Sequence, residues 1–64
     1  MERSPYVAMT VNERLVVAGL LEEFERAAVA RDRDRMIHIL ERVDLAAADE
    51  CADAILGNPG FYGF

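Results

Sequence analysis

Apolar residues recur at helical spacing along most of this 64-residue chain, and this pattern restricts the fold more than any other feature. No alternation of apolar and polar residues with the two-residue period of a strand runs for more than a few residues. There is also no internal repeat and no low-complexity tract. We therefore expect an all-α fold, a small three-helix bundle with helices over about 11–30, 33–43 and 46–56.

The first predicted helix begins at a capping box. The Thr10 hydroxyl can accept a hydrogen bond from the amide of residue 13, and Glu13 can reach back to the amide of residue 10. Gly19 falls on the polar side, where it costs about 1 kcal/mol relative to alanine. The predicted core-facing stripe consists of Val16, Val17, Leu20, Leu21, Phe24, Ala27 and Ala28. We expect one uninterrupted helix over 11–30.

The next two helices have their own candidate caps. Asp32 is a suitable N-cap for the helix over 33–43, and Asp44 is the candidate for the helix over 46–56. Gly57 is expected as the left-handed glycine after the third helix, because Asn and Pro follow it. The predicted core faces of these helices are Met36, Ile37, Ile39, Leu40 and Val43, followed by Ala48, Cys51, Ala52, Ile55 and Leu56.

Composition limits the class of protein. We expect a single domain over 1–64, with a lead-in over 1–9 and an aromatic tail over 57–64. Hydrophobic residues make up 53% of the chain, too many for a disordered protein of this charge. A single cysteine excludes an internal disulfide. No apolar run approaches about 18 residues and no leader-like segment opens the chain, so we expect no membrane association and a cytoplasmic location. Ten alanines and no lysine favour a GC-rich bacterial source.

Catalysis and metal binding find little support in the residues present. Cys51 and His38 are the only cysteine and histidine, and helical wheels place them on a buried and an exposed face that point apart. His38 has Asp34 and Glu41 at helical spacing, which could offer three ligands, but a solvated face explains the same pattern. We expect no enzymatic activity, no cofactor and no bound metal.

Two charged segments suggest alternative functions. The segment Arg31–Arg35 alternates arginine with aspartate and could contact an anion or nucleic acid weakly. The 12 acidic and 7 basic residues nevertheless give a net charge of −5, which argues against nucleic-acid binding. A second alternative is an acidic inhibitor or mimic that docks on a basic nucleic-acid-binding protein. Its surface would be formed by Asp44, Asp49, Glu50 and Asp53.

The preferred prediction is a non-catalytic interaction or regulatory module that acts through apolar residues. Val11 and Leu15 lie opposite the predicted core stripe of the first helix, so something must cover them. Three aromatic residues, Phe61, Tyr62 and Phe64, occupy the last four positions. Either the tail, or the lead-in with Tyr6, folds back over this second apolar stripe, or these residues bind another protein or a second copy as a homodimer.

Overall fold

The computed structural model describes residues 5–64, which form four α-helices and no strand. The helices are α1 (Val11–Ala18), α2 (Leu21–Val29), α3 (Arg33–Arg42) and α4 (Ala48–Gly57). The Cα radius of gyration of 11.3 Å is close to the value of about 11 Å expected for a compact chain of this length. The all-α prediction is confirmed, whereas the number of helices is four rather than three. The first four residues of the predicted lead-in lie outside the described part of the chain.

The single helix predicted over 11–30 is wrong, because the chain breaks at Gly19. This glycine has a left-handed φ of 72°. Its amide donates to the Val16 carbonyl at 3.1 Å, and the Leu20 amide donates to the Leu15 carbonyl at 2.9 Å. These two bonds form a Schellman motif, which satisfies the last carbonyls of α1 and ends it. The capping box at the start of α1 is confirmed, with both of its bonds between Thr10 and Glu13 present.

The break explains why the predicted core stripe is wrong in α1. Leu15 is 2% exposed, whereas Val16 and Val17 are 56% and 62% exposed. In a continuous helix, Leu15 and Phe24 would point about 180° apart, since nine residues make two and a half turns. Both are buried here because α2 starts in a new direction after Gly19. The α2 part of the stripe is confirmed, with Phe24, Ala27 and Ala28 in the core.

The same type of left-handed turn that ends α1 also ends α2 and α3. Arg31 has φ 57° and Asp44 has φ 59°. The Asp32 amide donates to the Ala27 carbonyl at 2.9 Å, and the Leu45 amide donates to the Leu40 carbonyl at 3.2 Å. Both turns therefore close with the six-to-one bond seen after α1.

The predicted cap at Asp32 is confirmed, and the one at Asp44 is wrong. The Asp32 side chain accepts from the Arg35 amide at 3.2 Å. Asp44 instead closes α3, because its short polar side chain tolerates the left-handed conformation. Helix α4 begins after Ala47 without a side-chain cap. Gly57 is the last residue of α4 and is not left-handed, contrary to the expected C-terminal role.

Helix α3 lies at the centre of the fold, where it packs against α2 on one side and α4 on the other. Its core residues Met36, Ile39 and Leu40 are almost completely buried. The rest of the core comes from the flanking helices and the end of α3 and consists of Leu15, Phe24, Ala27, Ala28, Val43, Ala48, Ala52 and Ile55.

Arginine side chains connect the helices at their ends. Arg14 of α1 donates from Nη1 to the carbonyls of Val43 and Asp44, at 3.1 and 3.0 Å. Its Nε also donates to the Met9 carbonyl at 3.1 Å. One guanidinium thus holds the segment before α1 against the end of α3, where the helix dipole favours positive charge.

Replacing Gly19 with alanine should lower the free energy of unfolding by about 1 kcal/mol, because a β-carbon is disfavoured at a left-handed φ. No neighbouring atom lies within 4 Å of where that β-carbon would be, so backbone strain alone is tested. The control is Gly57→Ala, which should stabilise the protein through helix propensity. Urea denaturation measures both. A stabilising Gly19→Ala would instead indicate a continuous helix over 11–30.

Replacing Arg14 with methionine should lower the free energy of unfolding by about 1–3 kcal/mol, because it removes three hydrogen bonds while keeping the apolar stem. The matched control is Arg26→Met on the exposed side of α2, which should change stability by less than about 0.5 kcal/mol. Urea denaturation compares the two variants. Equal effects would mean that Arg14 does not hold α1 to α3.

Candidate functional site

The aromatic tail is an ordered turn. The Phe61 amide donates to the Asn58 carbonyl at 3.1 Å, and the Tyr62 amide donates to the Pro59 carbonyl at 3.1 Å. Gly63 is left-handed at φ 87°, and the Phe64 amide returns to the Pro59 carbonyl at 2.9 Å. The tail therefore closes with the same six-to-one bond that ends α1, α2 and α3.

Two aromatic contacts give the tail an anchored side and an exposed side. Phe64 packs edge-on against the buried Phe24, with ring centroids 5.8 Å apart. Phe61 packs edge-on against Tyr62, with centroids 5.0 Å apart. Phe61 is nevertheless 78% exposed. The tail thus holds one ring against the core and presents another to solvent.

An apolar groove lies beside this turn and is open to solvent on one side. Its volume is about 150 Å³. No charged residue lines it. The lining residues, which define "the groove" below, are Val11, Asn12, Leu15, Leu21, Phe24, Cys51, Ile55, Tyr62 and Phe64.

The groove brings together four of the five predicted partner-binding residues. Val11 is half-buried at its wall, Leu15 is buried at its base, and Tyr62 and Phe64 contribute from the tail. Phe61 is not part of the lining and lies exposed next to Tyr62. The tail therefore lies against the surface formed by Val11 and Leu15, and Leu15 itself is inaccessible to a partner in this conformation.

The groove's other walls include Leu21, Phe24 and Ile55, for which the helical spacing of the sequence predicts only a place in the core. The spacing likewise does not predict that Val16 and Val17 on α1 are exposed. The glycine at position 19 was the available signal, since ending α1 there reverses which face of the helix is buried.

The three arginines of the segment Arg31–Arg35 bind groups of this chain. Arg31 donates to the Leu56 carbonyl at 3.2 Å. Arg33 forms a two-pronged contact with Asp53, at 2.6 and 3.1 Å. Arg35 lies 3.3 Å from a Glu23 carboxylate oxygen. These contacts connect α3 and its preceding turn to α2 and α4.

The contact between Arg33 and Asp53 changes the titration of both groups. The hydrogen bond from Arg33 lowers the pKa of Asp53, and the same bond raises the pKa of Arg33. Asp53 is therefore already paired, although it belongs to the predicted acidic surface. Asp49 and Glu50 lie exposed in the first turn of α4, where acids suit the helix dipole.

Cys51 and His38 lie on different surfaces. Cys51 is half-buried in the groove, and burial raises the pKa of its thiol. His38 is exposed on α3 and lines a shallow polar depression with Arg35 and Arg42. Within residues 5–64, no group of three or more histidine, cysteine or acidic side chains could hold a metal ion.

Comparison of the chain with protein-family models, curated proteins and solved structures found no match. Among residues 5–64, no helix combines the length and the apolarity that crossing a membrane requires.

Cys51 should react slowly with iodoacetamide, because a raised pKa leaves less thiolate at a given pH. The pH profile of alkylation should have its midpoint above that of the same chain unfolded in urea, which serves as the control. The alkylation rate followed by mass spectrometry measures both. A midpoint below the unfolded value would indicate an activated thiol and would support a nucleophilic role for Cys51.

Proposed function

We propose that this chain is a non-catalytic protein–protein interaction or regulatory module of the bacterial cytoplasm, which self-associates and docks through its aromatic tail. The docking surface consists of Phe61, Tyr62 and the adjoining rim of the groove at Val11. The observation that carries the proposal is the Phe61 ring, which is 78% exposed on a hydrogen-bonded turn.

The Phe61 ring is held ready for burial against a partner. Fully burying a phenylalanine side chain is worth about 1.5–3 kcal/mol. Here most of that gain is unused within the chain, while the Phe64 contact with Phe24 holds the turn in place. A pre-ordered aromatic side chain loses little entropy on binding, which is why such residues are frequent at the centres of interfaces.

The other two functions have weaker support. In the predicted acidic surface of Asp44, Asp49, Glu50 and Asp53, the Asp53 carboxylate already pairs with Arg33. Weak nucleic-acid or anion binding through Arg31–Arg35 would require guanidinium groups that contact backbone and carboxylate oxygens of this chain.

A photo-reactive phenylalanine analogue at position 61 should crosslink the chain to its binding partner in the bacterial cytoplasm. The matched control carries the same analogue at position 29, where Val29 is 69% exposed on α2. We expect discrete crosslinked species from position 61 and none from position 29, read by denaturing electrophoresis and mass spectrometry. Equal crosslinking from both positions, or none from either, would contradict docking through the tail.

A further inference from the structure

We propose that the tail's partner is a second copy of this chain, and that each copy's Phe61 ring enters the groove of the other. This inference rests on the proposed docking surface and adds the identity of its occupant. It joins two features that the single chain leaves unmatched, an exposed ring and an open apolar groove.

The size and chemistry of the groove fit a phenylalanine ring. An apolar cavity of about 150 Å³ lined by leucine, isoleucine and phenylalanine accepts a benzene-sized ring. The groove has a similar volume but is open to solvent on one side, and its lining includes the nearly buried side chains of Leu15, Phe24 and Ile55. Since no charged side chain lines it, the ring enters without stripping water from a charge.

The position of the ring relative to the groove favours a closed pair of chains. Phe61 contacts Tyr62, and Tyr62 is part of the groove, so the ring lies next to the groove. A two-fold axis beside them brings each ring to the other chain's groove at once, which closes the assembly at two copies. A ring and groove on opposite sides of the molecule would instead build an open chain of copies.

Sedimentation equilibrium of the full chain tests the proposed dimer with two variants, one that alters the Phe61 ring and one that alters the groove. Phe61→Ala removes the ring, and Cys51→Phe fills the groove from α4. Each variant alone should weaken self-association by about tenfold or more, since truncating or blocking a central aromatic anchor has effects of that size. Cys51→Leu fills the groove with a smaller, helix-favouring side chain and should act in the same direction. Circular dichroism checks that each variant folds.

Mixing the two variants gives the sharpest outcome. The Phe61→Ala chain keeps an open groove and the Cys51→Phe chain keeps its ring, so a mixture restores one of the two contacts. We expect mixed dimers that are tighter than either variant alone and weaker than the wild type. Cys51→Ala is the control, because it also removes the thiol but leaves the groove open, and it should associate like the wild type.

Four results would overturn this inference. The first is wild-type association by both groove-filling variants, and the second is equal loss of association in Cys51→Ala. The third is a wild-type chain that stays monomeric at every concentration while benzene shifts the nuclear magnetic resonances of the groove, which would make the groove a site for a small apolar ligand. Crosslinks from position 61 to a different protein alone would also reject a second copy, yet would leave the proposed docking surface intact.

Discussion

The fold depends on one recurring backbone turn, in which a residue with left-handed φ is followed by a hydrogen bond that spans six residues. It occurs at Gly19, Arg31, Asp44 and Gly63, where it closes α1, α2, α3 and the tail. Each closure satisfies the terminal carbonyls of one segment and sets the direction of the next. Because the helices are only eight to ten residues long, they are too short to be stable alone, and these changes of direction are what bring their apolar faces together.

The sequence predicts the helices better than it predicts where the first one breaks. Capping at Thr10 and Asp32 depends on neighbouring residues only, and the spacing of apolar residues in α3 is unambiguous. A glycine inside a helical pattern, however, costs only about 1 kcal/mol. Helix propensity alone therefore does not decide whether the helix continues through Gly19 or ends there. Burying Leu15, which a continuous helix would place opposite Phe24, outweighs that difference. The left-handed turn at Arg31 has no signal in the sequence, because arginine is an unusual residue for it.

The sequence predicts part of the candidate site, but neither the remaining walls of the groove nor how its residues are arranged. Aromatic composition alone singles out Phe61, Tyr62 and Phe64. Which ring is anchored and which is exposed depends on the contact between Phe64 and Phe24, two residues that are 40 positions apart in the sequence. The groove likewise combines α1, α2, α4 and the tail. Helical wheels describe one helix at a time, and so they cannot show a surface that four segments share.

Four arginine side chains bind groups of the same chain, and this affects how two copies would interact electrostatically. Arg14 and Arg31 donate to carbonyls at the ends of α3 and α4, and Arg33 and Arg35 pair with carboxylates. A forked guanidinium suits both tasks better than an ammonium group does. The molecule keeps its net charge of −5 while much of its positive charge is engaged internally. Two copies therefore repel each other at long range, and the proposed self-association through the uncharged surface of the groove and tail would have to overcome that repulsion. Added salt screens the repulsion and leaves an apolar contact intact, so the proposed self-association should strengthen with salt, unlike docking between opposite charges.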